Sequence, residues 1–183
     1  MVIDHAGTDS TIAGLRRDVA ACRVCAARLP LGCRPVVQIA AEARLLIISQ
    51  APGARVHASG IPWDDASGAR LRDWLGIDSG VFYDPEKVAL LPMGFCYPGA
   101  AKGGGDLPPR SECAPLWHDR IIAALPGIRL TLLVGLHAQA QYLGPARSAT
   151  LTETVRDAAR HLPRYLPLPH PSWRSIGWMR RNT

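Results

Sequence analysis

The sequence predicts an α/β domain in which parallel strands form a sheet covered by helices on both faces. Two observations lead there. Short apolar runs alternate along the chain with segments of helical periodicity, and the first run, residues 43–50, is apolar on both faces, as a central parallel strand is. A third observation places the working region. The stretch from Ser49 to Gly68 leaves that run carrying an amide, an imidazole, two adjacent carboxylates, an indole and three glycines. A strand's carboxyl end is where an open α/β sheet holds its ligand.

Taken in order, Ile12, Leu15, Val19 and Cys22 recur at helical spacing behind the caps Asp9, Ser10 and Thr11. They predict a helix of about four turns running into Cys22-Arg23-Val24-Cys25, broken by Pro30, Gly32 and Pro35. After strand 43–50 and its loop, residues 68–75 read as a helix that Gly76 ends. Phe82, Tyr83 and Pro85 suit a turn, and residues 88–95 a second strand whose end Pro92 confines to an edge or bulge. Residues 97–110 have no periodicity and form a long loop, functional or mobile. A helix over 111–125 carries Trp117, Ile121 and Leu125 on one stripe, and residues 130–135 are a third strand. A short helix with Leu136, Ala140 and Leu143 comes next. Thr150 and Glu153 are spaced as the capping box of a helix that turns Val155 and Leu162 inward. Residues 165–168 form the fourth strand, delivering His170-Pro171-Ser172 at its carboxyl end.

At 183 residues and 48% hydrophobic, the chain suits one domain, 1–183, with a sizeable core. No apolar run approaches the ~20 residues of a membrane span, and no basic-then-apolar leader opens the chain, so a soluble cytoplasmic protein is expected. The formal charge is +6, and the bases are nearly all arginine, Lys87 and Lys102 being the lysines. That excess fits a polyanionic partner such as nucleic acid, although GC-rich codon usage also raises arginine content.

Five cysteines are too few and too dispersed for a disulfide scaffold. Cys22 and Cys25 form a Cys-x-x-Cys bite, while Cys96 and Cys113 flank the long loop. Four thiolates suit tetrahedral zinc or a cubane iron–sulfur cluster; the competing reading is that they pack as small hydrophobes. Cys33 is the odd one, a free thiol.

In the first loop, Asp64 and Asp65 can orient a water and oppose a cationic transition state, or one of them can cap the helix that begins near Ser67. Gln50 can hold a water, His57 can read a polar substrate, and Trp63 can stack on a planar ring or fill core. At the other end, prolines 167, 169 and 171 stiffen the chain around His170, whose ring can donate to a developing anion. Trp173 and Arg174 follow, placed to wedge into a base stack or hold a phosphate. Lys102 and Arg110 in the long loop can also touch phosphates. His118 and His137 fall on predicted helices and are assigned to structure.

Together these residues resemble the uracil-DNA glycosylase superfamily, in particular its iron–sulfur branches. Gln50-Ala51-Pro52-Gly53 looks like the first motif, Gly-Glu-Ala-Pro-Gly in the family 4 enzymes; Gly60-Ile61-Pro62-Trp63 looks like Gly-x-Pro-Phe; and His170-Pro171-Ser172 is similar to the second motif. The four cysteines fit the cluster ligands in order and approximate spacing, and the likeness runs from Cys22 onward.

The resemblance implies a three-layer α/β/α domain around a four-stranded parallel sheet, monomeric, carrying a 4Fe-4S cluster on Cys22, Cys25, Cys96 and Cys113. Such a domain turns a deaminated base out of DNA and hydrolyses its N-glycosidic bond. Ala51, Pro52, Gly53, His57, Trp63 and Ser172 would surround the base, with Trp63 in place of the stacking phenylalanine. His170 would stabilise the departing base, and Trp173 and Arg174 would enter the minor groove.

Departures bear on the substrate. Gln50 replaces a carboxylate, and an amide is no base. Asp65 resembles, with one residue gapped, the functional aspartate before a Ser-Gly pair in the family 5 enzymes, with Asp64 its rival. Pro92 stands where family 4 has a uracil-reading asparagine, which widens the expected range beyond uracil. The same departures suit a second reading, a lesion- or abasic-site-binding protein that does not cut. A phosphate-binding nucleotide fold is disfavoured, since Gln50–Gly53 is not a glycine-rich phosphate loop. The combination looks like a branch of the superfamily with its own first motif, whose members continue beyond a segment like Trp178–Asn182, so a truncation at Thr183 is expected.

Overall fold

The computed structural model describes residues 11–181, the side chain of Arg174 excepted. Asp9, Ser10 and Asn182, named above, lie outside them. The elements are α1 (Ile12–Ala21), β1 (Leu45–Ser49), α2 (Ala54–Ser59), α3 (Ala66–Leu75), α4 (Ser79–Phe82), β2 (Val88–Pro92), α5 (Cys113–Ala123), β3 (Leu130–Val134), α6 (Leu136–Leu143), α7 (Leu151–Arg156), β4 (Tyr165–Leu168) and α8 (Ile176–Met179). The four strands are all parallel, in the order β2-β1-β3-β4. The chain leaves β1 outward to β2 and leaves β3 outward to β4, so the connections diverge between β1 and β3. That divergence opens a crevice at the strands' carboxyl ends.

Alternation along β1 makes the three layers. Leu46 and Ile48 pack with Ala89, Leu91 and Leu133 against α1, α5 and α6 through Leu15, Val19, Trp117, Ile121 and Ala138. Ile47 faces the other way, with Val88, Leu90, Leu132 and Val134, against Leu71 of α3 and Phe82 of α4. Successive strand residues point to opposite faces, and a run apolar at every position therefore feeds two cores. Removing a side chain such as Ile47 or Ile48, each 0% exposed, would cost roughly 2–5 kcal/mol.

Strand β2 is an edge. The antiparallel bridge between Gln38 and Leu90 covers its free side, and the Gln38 side chain donates to the carbonyls of Phe82 (3.0 Å) and Val88 (2.8 Å). Pro92, which has no N–H to give a further neighbour, makes the last rung opposite Ser49.

Several expectations change. Helix α1 has ten residues, about three turns rather than four: Thr11 caps it, accepting from Gly14 N–H, and Cys22 already takes an extended backbone. Strands β1 and β2 are shorter than 43–50 and 88–95; beyond Pro92 the chain still bonds the end of β1, Met93 N–H to Ser49 O at 2.8 Å and Gly94 N–H to Gln50 O at 2.9 Å, and Phe95 O then accepts from Val36 N–H at 2.8 Å. Phe82 closes a short helix capped by Asp78 rather than lying in an open turn. The Thr150–Glu153 capping box is present, but α7 stops at Arg156. Leu162 consequently falls outside the helical phase and is exposed, Val155 is half-buried, and Thr154 is the residue turned inward.

His118 is buried as expected. His137 is exposed, so no core role attaches to it. His118 Nε2 lies 3.0 Å from Pro92 O, a pure acceptor, so that nitrogen carries the proton and Nδ1 accepts from Tyr142 Oη at 2.6 Å. Burial holds the imidazole pKa below its ordinary value. The unfolded chain therefore binds its proton first as pH falls. The stability this histidine contributes is fully present above about pH 6.5 and drains away below it, toward the folded pKa. Melting temperature is expected to decline from about pH 6.5 downward, less steeply in His118→Gln. An equal decline in both proteins would remove His118 from the account.

Candidate active site

Strand β1 delivers Ser49 and then Gln50-Ala51-Pro52-Gly53, and Gly53 is the N-cap of α2. Gly60 ends α2 in the left-handed region at φ 75°. The chain then reaches Trp63, which has φ 59° and is the single non-glycine with positive φ among the described residues. What holds Trp63 there is a set of neighbours. A Cβ added to Gly68 would lie 1.8 Å from Trp63 O, so only a glycine lets the indole's backbone pack onto α3. Arg72 donates to Tyr83 Oη at 3.1 Å, and the Tyr83 hydroxyl faces Trp63 O at 3.4 Å. Gly68→Ala must push this turn apart, and a loss of about 1–3 kcal/mol is expected in chemical denaturation. Unchanged stability would mean that the contact relaxes freely.

Asp65 is the N-cap of α3: its Oδ1 accepts from Gly68 N–H at 2.8 Å. The same residue lines the crevice. Asp64 does not; its charge acts on Tyr83 instead, helping to raise that phenol's pKa behind the larger effect of burial.

From the opposite side, β4 brings His170. Gln139, 0% exposed, ties the strand ends together by donating to Leu168 O at 2.9 Å. Gly135 N–H donates to the same carbonyl, also at 2.9 Å. Gly135 has φ 89°, and a Cβ there would stand 3.3 Å from His170 Cβ, so glycine admits the imidazole. The His170 carbonyl accepts from Ser172 N–H (2.8 Å) and from Ser175 Oγ, and Arg70 of α3 donates to Pro171 O. The His170 ring stacks on Trp63, centroids 5.6 Å apart and planes 21° from parallel. Burial lowers its pKa below the ordinary value, and the Asp65 charge partly offsets this. The ring is therefore neutral at pH 7 and retains one N–H to donate.

These elements enclose a cavity of about 310 Å³, at the small end for ligand sites. Of the residues singled out from sequence, Gln50, Ala51, Pro52, Gly53, Trp63, Asp65, His170, Ser172 and Trp173 line it. Trp173 is 72% exposed and stands at its mouth. His57 does not line it: it sits on α2 with its ring against Tyr97 (6.0 Å) and its buried Nδ1 without a hydrogen-bond partner. Lys102 is exposed in the long loop and does not line the cavity. For Arg174 the backbone belongs to the short turn after Ser172, and its side chain lies outside what is described.

The Arg110 guanidinium donates to Glu112 at 2.8 and 3.2 Å and hydrogen-bonds Cys25. This pairing holds Glu112 down to about 2.

Sequence reasoning missed Val36 and Leu90, which form an apolar wall, and Ser67 and Asp106, which add polar groups. Position alone gives no cue for the first three. For Asp106 a cue existed, a lone carboxylate directly after three glycines in a long loop.

The cysteines form a second site. Cys22, Cys25, Cys96 and Cys113 line one small, almost wholly apolar cavity, and Cys33 joins them rather than standing apart. No two are bonded. Burial pushes the Cys113 thiol up to about 12 and Cys96 up to about 11, and raises Cys25. Phe95 N–H donates to Cys113 Sγ at 3.3 Å. Among the described residues, no group of three or more His, Cys, Asp or Glu side chains is gathered closely enough to hold a metal ion. An all-sulfur donor set is one that tetrahedral zinc and iron–sulfur clusters both take. Thiols raised this far are ligands only once a cation displaces their protons.

An open parallel sheet with an aromatic, polar crevice at its switch point defines an α/β protein of the kind that holds its ligand there. Residues 36–183 match the uracil DNA glycosylase superfamily, and the chain belongs to it. The superfamily consists broadly of DNA repair enzymes that act on DNA as glycosylases, hydrolysing N-glycosidic bonds. No helix among the described residues is long and apolar enough to cross a membrane.

Proposed function

We propose that this protein is a monofunctional glycosylase of the iron–sulfur branch that excises a deaminated base from DNA, uracil first, with a range extending beyond it. The observation that carries the reading is the meeting of Asp65, Trp63 and His170 on one cavity at the carboxyl ends of β1 and β4.

The target nucleotide turns out of the helix, most easily where pairing is weak, and its base enters between the Gln50–Gly53 turn and Trp63. Because His170 covers one face of the indole, the base uses the other face or the indole edge. Gln50, Ser172 and nearby backbone amides hold the base by its polar edge. Bond breaking leaves positive charge on the sugar and negative charge on the base. The free oxygen of Asp65 opposes the first, and the neutral N–H of His170 donates to the second. Trp173 at the mouth fills the gap in the helix. Pro92 on the cavity wall offers no side-chain amide to select uracil, which is the ground for a wider range.

Cys22, Cys25, Cys96 and Cys113 would hold a 4Fe-4S cluster, which supplies covalent anchoring rather than chemistry on the base. Those ligands tie the end of α1 to both ends of loop 97–110. Purified protein is expected to absorb near ~400 nm through thiolate-to-iron bands and to lose both colour and thermal stability in Cys113→Ser. Colourless protein containing zinc would overturn this part.

Single-turnover assays on oligonucleotides with uracil, hypoxanthine or xanthine, single- and double-stranded, test the whole reading. Release of free base from at least one supports it. Tight lesion binding with no release from any would replace it with a non-cutting lesion-binding protein.

A further inference from the structure

Loop 97–110, between β2 and α5, folds back and places Asp106 in the same cavity as Asp65 and His170. Its own backbone closes it. Ala100 and Asp106 form an antiparallel bridge; Ala101 N–H donates to Gly105 O at 2.8 Å, Gly104 N–H to Ala101 O at 3.0 Å and Leu107 N–H to Gly99 O at 2.8 Å. Gly99, Gly104 and Gly105 take φ of 107°, 85° and 82°, a region side chains seldom enter. This explains why a glycine run precedes the aspartate.

The side chain is held as well. The Tyr97 hydroxyl hydrogen-bonds Asp106, and burial followed by the carboxylate's charge raises the Tyr97 pKa, so the phenol stays a donor. On its other side, a Cβ built at Gly53 would stand 3.3 Å from Asp106 Oδ2. The carboxylate therefore sits against the end of the Gln50–Gly53 turn, on an exposed residue that water can reach.

Hydrolysis needs a base near the attacking water, and Gln50 has no basicity. Asp65 commits one oxygen to Gly68 N–H. Asp106 is the second carboxylate on the cavity wall among the described residues.

We propose that Asp106 is a catalytic residue that holds the attacking water and accepts its proton, with Tyr97 positioning it; this rests on the glycosylase reading above. As the C1′–N bond breaks, its electron pair leaves with the base, and the water oxygen bonds to C1′. One water proton passes to Asp106 and on to solvent. The base anion, held by the His170 N–H, takes a proton back from solvent, giving free base and an abasic sugar.

The test compares wild type with Asp106→Asn, Asp106→Ala and Tyr97→Phe on whichever oligonucleotide wild type cleaves best, reading single-turnover rate, DNA affinity by anisotropy and melting temperature. Asp106→Asn is expected to lower the rate by ~10²–10³-fold with affinity held within about twofold. Tyr97→Phe, which leaves the carboxylate but removes the hydrogen bond from the phenol, is expected to lose roughly 3–10-fold in rate. In Asp106→Ala, added formate supplies a carboxylate and is expected to raise the rate by about tenfold or more. Asp106→Asn within about threefold of wild type overturns the assignment, as does a slow Asp106→Ala that formate does not accelerate. Wild type that releases no base at all removes the glycosylase reading instead, so the two failures are distinct.

Discussion

Replacing His170 by alanine is expected to lower single-turnover base release by ~10²–10³-fold while DNA affinity stays near wild type. The reason is where the ring sits. It lines the cavity, and on the proposed reading its neutral form has one N–H for charge that exists only once the glycosidic bond breaks. An interaction made only in the transition state shows in turnover and leaves ground-state binding alone. The stack on Trp63 adds a discriminating control, because deleting the imidazole also uncovers one indole face. His170→Phe restores a ring against Trp63 without a donor. It should be as slow as alanine if the N–H matters, whereas recovery in the phenylalanine variant would reassign His170 to packing.

Asp65→Asn is expected to slow release by ~10²–10⁴-fold without lowering the melting temperature. Asparagine caps a helix about as well as aspartate, so its amide oxygen can still accept from Gly68 N–H, the bond Asp65 makes at 2.8 Å. What it loses is the negative charge beside the sugar. Asp65→Ala should be equally slow and also less stable by about 0.5–2 kcal/mol, the usual worth of a cap. Asp64→Asn, on a residue outside the cavity lining, should stay close to wild type. Full activity in Asp65→Asn together with a dead Asp64→Asn would reverse the assignment.

Much of the fold was legible because its signals are local. Gly76 ends α3 and Thr150 boxes with Glu153, since caps depend on residues a few positions apart. The apolar run at Leu45–Ile48 announced a strand buried on both faces, and α3 and α5 bear on those faces. One error was of reach: Leu162 was placed inward by extending a helical phase that α7 abandons at Arg156.

The amino-acid sequence by itself determined the parallel α/β class, the caps, and that reactive residues follow β1 and β4, because side-chain periodicity and short-range hydrogen bonds act within a turn or two of chain. Only the tertiary structure decided that Asp65 and not Asp64 faces the cavity, that Cys33 shares a chamber with the other four thiols, and that a glycine-rich loop returns Asp106 to the wall beside Gly53. Those outcomes depend on contacts between segments dozens of residues apart. Whether an aspartate meets a cavity is settled by how the layers close around it, and no spacing along the chain carries that information.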